Sequence, residues 1–338
     1  MSHSLRDTLI AVGLTGLVLM AVVASGSPVV TLGFRKYAGN PVLTPGTYPA
    51  WDSLNVAVGT VLVVDGVFRM WYSGSPNNNN WQIGLAVSRD GTTWVKDPTK
   101  PVVTVGPAGS WDARIAWHPE VLYEDGLYKM WYNGWDESYS PGAIGYATSP
   151  DGVVWTKHAG NPVLNKGPSW WDLQNVVGGT VLHDQTGYRM WYSGSSDGGS
   201  YAAGLAFSSD GITWEKYTGN PVMVPDPYGW DSYRVHPTDV IATLGGLVML
   251  YVGSSGYTQQ IGIAASLDGI SWVRYSGNPI LTPGPDSWDS SSLSRPSLVL
   301  VHRTAWLWYT GTASGSDWQI GLATLKPRET RALLQLGG

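Results

Sequence analysis

The stretch that decides the fold runs from Trp171 to Val222, WDLQNVVGGTVLHDQTGYRMWYSGSSDGGSYAAGLAFSSDGITWEKYTGNPV. It holds four short apolar runs separated by Gly, Asp, Asn and Ser. The first contains Gly179-Thr180-Val181-Leu182, the second Met190-Trp191-Tyr192 and the third Ala203-Gly204-Leu205-Ala206. The fourth carries Trp214 and ends near Asn220-Pro221-Val222. Short length, aromatic and β-branched enrichment and turn-forming punctuation favour strands over helices. The second run is apolar at successive positions. Its strand therefore expects burial on both faces, as in a small sheet packed between neighbours.

The same unit recurs along the chain. Trp-Asp stands at Trp51-Asp52, Trp111-Asp112, Trp171-Asp172, Trp230-Asp231 and Trp288-Asp289, in steps of 60, 60, 59 and 58 residues. Met-Trp-Tyr-x-Gly follows at Met70, Met130 and Met190, with weaker copies at Met249-Leu250-Tyr251 and Leu307-Trp308-Tyr309. Ile83-Gly84-Leu85-Ala86 is echoed at Ile144, Ala203, Ile261 and Ile320. Asp-Gly-x-x-Trp turns end at Trp94, Trp155, Trp214 and Trp272. Repeats of four strands each predict an all-β, five-bladed β-propeller.

The ends of the chain fit a closed ring. The last unit stops after its third strand, near Leu325. Phe34-Arg35-Lys36-Tyr37-Ala38-Gly39-Asn40-Pro41-Val42 aligns with Trp214 to Val222 and supplies the missing fourth strand. Closure by this N-terminal strand leaves only short edges. The domain reading is residues 1–27 as a signal peptide or membrane anchor, 28–326 as the propeller and 327–338 as a C-terminal tail.

Composition narrows the function. Charged residues make up 13% of the 338, and the net charge is −5 with no basic run, which argues against nucleic acid. Absence of cysteine excludes disulfides, thiolate catalysis and cysteine-ligated metal. Leu9–Ala24 is almost entirely apolar, preceded by Arg6 and followed by small residues. It reads as an export signal, with an uncleaved anchor as the alternative. Extracellular or cell-surface location follows, with membrane contact only through that segment.

The blade length, the Met-Trp-Tyr-x-Gly and Ile-Gly-x-Ala strands and the Asp-Gly-x-x-Trp turns resemble the five-bladed propeller glycosidases of families 43, 32, 62 and 130, over roughly residues 34–326. The resemblance implies carbohydrate as ligand and acidic catalytic residues near the starts of the innermost strands. In this sequence the matching pre-proline positions are His118, His236 and Arg295, and the first and third blades place Val58 and Gly178 nearby. None is acidic, so the usual catalytic carboxylates are absent from their places.

Glu120 and Asp239 are the nearby acids. Each lies eleven residues before the Trp-Tyr register, in a column with Thr60, Thr180 and Ser297. Matching His-Pro to His-Pro instead shifts Asp239 by one position. Facing the axis, Glu120 and Asp239 form a candidate acid–base pair, since glycosidic cleavage needs two carboxyl groups. The plainer reading makes them structural acids satisfied by neighbouring basic groups. Arg114, His118, Arg234, His236 and Arg295 supply positive charge. Trp81, Trp117, Trp135 and Trp318 are candidate sugar platforms or loop packing. The five Trp-Asp aspartates read as turn or cap residues. His118 and His236 lack a third ligand, so no metal site is assigned. No cofactor is called for, and an axial calcium ion has no support. Three functions fit: a glycosidase-like enzyme, a lectin-like binder, or an assembly protein in which Val29–Val42 completes a neighbour's sheet.

Overall fold

The computed structural model describes residues 31–336 apart from 98, 139–141, 257, 285–287 and 314–316. The export or anchor segment lies outside the described residues. The first strand, β1 (Arg35–Lys36), precedes the first complete blade. That blade comprises β2 (Asn55–Val64), β3 (Val67–Ser75), β4 (Gln82–Ser88) and β5 (Val95–Lys96). Blade two comprises β6 (Ile115–Glu124), β7 (Leu127–Trp135), β8 (Ala143–Ser149) and β9 (Thr156–Lys157). Blade three comprises β10 (Asn175–Asp184), β11 (Gly187–Ser195), β12 (Ala202–Ser208) and β13 (Glu215–Lys216). Blade four comprises β14 (Arg234–Thr243), β15 (Gly246–Ser254), β16 (Gln260–Ser266) and β17 (Val273–Arg274). Blade five has β18 (Ser292–Val301), β19 (Thr304–Thr312) and β20 (Gln319–Thr324), and its outer strand is β1. Arg35 pairs with Thr324 and Lys36 with Ala323, so the predicted closure is present and the molecule is a five-bladed propeller.

Each repeated motif has a mechanical reason. The Trp of Trp-Asp lies flat on two glycines of its own blade. A Cβ on Gly194 would stand 2.2 Å from the Trp171 ring, and one on Gly204 would stand 2.3 Å from it. The Asp beside it is not merely a cap. Asp172 is fully buried and accepts from Tyr192 Oη at 3.3 Å and from Lys216 Nζ at 2.6 Å. The same arrangement joins Asp52 to Tyr72 and Lys96, and Asp112 to Tyr132 and Lys157. Arg274 replaces Lys in blade four. In blade five the cation is Lys36, carried in from β1 and 2.7 Å from Asp289. Each aspartate thus ties a loop, the second strand and the outer strand of one blade together.

Two of the repeated links between neighbouring blades use side chains of the sequence motifs. The indoles of Trp71, Trp131, Trp191 and Trp308 donate to the turn carbonyls of Gly152, Gly211, Gly269 and Gly91, each in the next blade. Blade four would need such a turn in blade five, where the chain has no Asp-Gly connection. There the Trp is replaced by Leu250, which has no N–H to leave unpaired in the core. In those turns Ser208 Oγ and Asp210 Oδ1 accept backbone N–H groups of Gly211, Ile212 and Thr213, and Gly211 takes φ 75°.

The second link is a belt around the axis, built from the predicted column. Thr60 Oγ1 accepts from Val121 N, Glu120 Oε1 from Val181 N and Thr180 Oγ1 from Val240 N. Asp239 Oδ2 accepts from Leu298 N and Ser297 Oγ from Val61 N, which closes the circuit. All five distances lie between 2.7 and 3.1 Å.

Residues 327–338, read from sequence as a tail, contain the helix α1 (Pro327–Leu333). Leu333 is fully buried in the core that blade five shares, and Thr330 Oγ1 accepts the Ala305 N–H at 2.9 Å. Glu329 accepts from Lys326 N and from Arg35, which links the helix to β1.

Candidate functional site

The register fixes where the inner-strand residues stand. Glu120 pairs with Trp131 and Asp239 with Leu250, as Thr60 pairs with Trp71, Thr180 with Trp191 and Ser297 with Trp308. The count from the Trp-Tyr run therefore gives the correct alignment. The three pre-proline positions are not equivalent. His118, Gly178 and Arg295 occupy the bulge with φ of 51°, 62° and 49°. In blade four that place falls on Pro237, whose ring holds φ negative. The bulge moves to Thr238, and His236 stands one step earlier, in the column of Trp117.

The main cavity, about 290 Å³, opens on the face that carries the loops between second and third strands. From the predicted set it is lined by Trp117, His118, Trp135, Arg234, His236, Arg295 and Trp318. It also takes Tyr201, Gln259 and the hydroxyl side chains of Ser292, Ser294, Thr310 and Thr312. Trp81 is buried beneath, packed on Ala57 and Ile115, and supports Trp117 and Trp318 at ring separations of 5.6 and 5.2 Å. Arg114 is not part of the lining. It enters β6 with its N–H bonded to the Trp135 carbonyl at 3.0 Å.

Tyr201 and Gln259 were absent from the sequence reading, yet a signal for them existed. Trp81, Gly142, Tyr201, Gln259 and Trp318 all stand two residues before the Ile or Ala of the third-strand motif. Where that position is Gly142, Trp135 swings into the space, 2.3 Å from where a Cβ would be.

The lining is rich in donors. Among the described residues the buried donors Trp117 Nε1, Trp135 Nε1, Arg234 Nε and Arg295 Nη1 and the buried ring nitrogen His118 Nε2 have no hydrogen-bond partner. Arg295 lies 4.5 Å from the Trp117 ring, 5.1 Å from Trp318 and 6.0 Å from Trp81. Burial lowers the Arg295 pKa to about 9, which leaves it charged at neutral pH. Burial, with the cations nearby, holds His118 well below the ordinary range and His236 at about 3, so both rings are neutral. Ser193 Oγ lies 2.5 Å from His236 Nδ1. Gly178 takes positive φ and passes under both imidazoles, where a Cβ would stand 2.8 Å from His236. Among the described residues no group of three or more His, Asp and Glu is placed to hold a metal ion.

Glu120 and Asp239 do not line this cavity. Glu120 borders only a narrow space of about 30 Å³ that shares His118, His236 and Arg295 with the cavity. Its Oε2 lies 2.8 Å from Thr60 Oγ1, and its Oε1 takes the Val181 N–H and sits 3.2 Å from Thr180 Oγ1. Both carboxyls are thus engaged in the belt. Burial, and then the charge of Asp239, raises the Glu120 pKa above the carboxylate range. Burial does the same to Asp239. A protonated Glu120 fits its surroundings, since Thr60 Oγ1 can accept from it while donating to the Pro119 carbonyl at 3.1 Å.

This has a measurable sign. A carboxyl whose pKa is raised in the folded state makes that state bind more protons than the unfolded chain. Stability from the pair is full below the ordinary carboxylate value, ~4, and falls as pH rises until both acids ionise. Glu120→Gln keeps an acceptor for Val181 and removes one titration. Its stability is expected to fall less than wild type between pH 5 and 8.5, read as urea midpoints. Parallel curves for the two proteins would contradict the assignment.

Comparison with known proteins agrees with the fold and selects one of the four families. The family model described as beta-1,4-mannooligosaccharide phosphorylase, glycoside hydrolase family 130, matches residues 52–335. An uncharacterized protein of Mycobacterium tuberculosis is 29% identical over 235 residues, covering 66% of this chain and 75% of that protein. A solved structure reported under the finding that family 130 mannoside phosphorylases include hydrolases of beta-1,2 mannosidic linkages in Candida mannan superposes with a TM-score of 0.72. It is 20% identical and covers 89% of this chain and 96% of that one. The Listeria innocua beta-1,2-mannobiose phosphorylase gives 0.70 at 16% identity, covering 90% and 99%. At those identities the structures speak for the fold, and the family model carries the assignment: the chain belongs to glycoside hydrolase family 130.

Proposed function

We propose that the chain recognises a short saccharide in the cavity over the propeller axis. The observation that carries this reading is the set of buried donors that have no acceptor among the described residues, around a space walled by Trp117, Trp135, Tyr201 and Trp318. Sugar rings lay C–H faces on aromatics, and their oxygens accept from such donors. Family membership supports a mannoside as the first probe. Export through Leu9–Ala24 belongs to the same proposal, and fractionation of expressing cells into medium, membrane and cell interior tests it.

Cleavage of the bound sugar is the second reading. It is favoured by the family and by Glu120, which keeps its proton at a pH where exposed carboxyls are ionised and borders the space sharing His118, His236 and Arg295 with the cavity. Calorimetric titration of β-1,4-mannobiose, paired with product analysis with and without inorganic phosphate, separates the two. Binding without product supports recognition alone. Product formation that Glu120→Gln and Asp239→Asn abolish makes the belt acids catalytic. No binding of mannobiose and no product would remove the mannoside assignment.

A further inference from the structure

Arg295 is a half-buried cation that lines the cavity. Among the described residues neither it nor Arg234 has an ion-pair partner, while every Trp-Asp aspartate has one. Both are half-buried, and drawing a charge partly out of water without a counter-charge is unfavourable. The indoles around Arg295 offset part of this through their ring faces, yet among the described residues Nη1 has no acceptor. The backbone adds strain, because Arg295 holds φ at 49° where most non-glycine residues do not go. Arg234 holds its guanidinium 5.1 Å from the Tyr201 ring, and its Nε has no partner among the described residues. Both line the cavity, and the described lining contains no Asp or Glu.

We propose that the cavity takes an acidic saccharide, a sugar ring bearing a carboxylate, with the carboxylate against Arg295 and Arg234 and the ring against Trp117, Trp135 and Trp318. This rests on the reading of the cavity as a saccharide site and names the chemical class of its ligand. A neutral sugar would satisfy the donors but leave two cations uncompensated. A small inorganic oxyanion would neutralise them but leave the indole walls without a partner. A uronic acid meets both demands with one molecule, and arginine's planar fork suits a carboxylate.

The test uses pairs that differ only by oxidation at C6: β-1,4-linked dimannuronate against β-1,4-mannobiose, and methyl β-D-glucuronide against methyl β-D-glucoside. Inorganic phosphate is a separate arm. In calorimetry on the full chain, the acidic member of at least one pair is expected to bind ten-fold or more tightly than its neutral partner. That gap should shrink with added salt and close in Arg295→Met. The same ligand should raise the wild-type melting temperature, a readout that keeps the test intact if the variant fails to fold. Equal binding of acidic and neutral members would overturn the inference while leaving the saccharide site standing. Phosphate binding that depends on Arg295, with no saccharide bound, would overturn both and mark an inorganic anion pocket. Failure of every probe would also overturn both.

Discussion

Removal of residues 31–43 is expected to unfold the protein at room temperature, although the segment holds only the two-residue strand β1. It takes Leu32, Phe34 and Leu43 out of the core, each less than a tenth exposed. Burial of such side chains is worth roughly 1.5–3 kcal/mol apiece. It also takes away Lys36 and leaves the Asp289 carboxylate, 1% exposed, without its cation. Breaking a buried pair from one side costs ~3–5 kcal/mol. The backbone of β20 loses its partners from Arg35 to Leu43, and Glu329 of α1 loses Arg35. The sum is comparable with the whole stability of an ordinary domain, ~5–15 kcal/mol. Far-ultraviolet circular dichroism and a urea titration read the outcome. A truncated chain with an unchanged midpoint would mean that blade five does not depend on its N-terminal strand.

Replacement of Asp172 by Ala is expected to cost ~3–5 kcal/mol, because the partners it leaves cannot reach water freely. Among the described residues the hydrogen bonds left are those of Lys216 Nζ to the Gly167 carbonyl at 2.7 Å and of the Tyr192 hydroxyl with Asn220 at 3.4 Å. Lys216→Met in the same background should recover part of the loss, since it removes the stranded cation. Additive losses in the double variant, measured by urea denaturation, would deny the coupling.

Much of the architecture was legible because the scaffold repeats at nearly constant spacing and each repeat position does one mechanical job. The eleven-residue count from the Trp-Tyr run placed Thr60, Glu120, Thr180, Asp239 and Ser297 in one column without a structure. Their joint task was not legible. It consists of hydrogen bonds to the next blade, about sixty residues away, and one chain's spacing carries no record of those. The offset of His236 was hidden for a different reason. Two His-Pro dipeptides look alike in sequence, but only one can put its histidine in a bulge, since Pro237 occupies the bulge column of blade four. Trp81 was grouped with the sugar platforms because a loop position does not reveal depth, and the structure makes it their support. Tyr201 was overlooked although it shares a column with Trp81 and Trp318.

The account divides the axis into a lower belt that holds the blades together and an upper cavity that holds the ligand. One comparison of two variants tests that division: calorimetric titration, with whichever probe saccharide the wild type binds, of Trp135→Ala and of Glu120→Gln. The account predicts that binding is lost with Trp135→Ala, which removes a cavity wall, and kept within about two-fold with Glu120→Gln. Retention with Trp135→Ala and loss with Glu120→Gln would place the saccharide on the belt acids and contradict it.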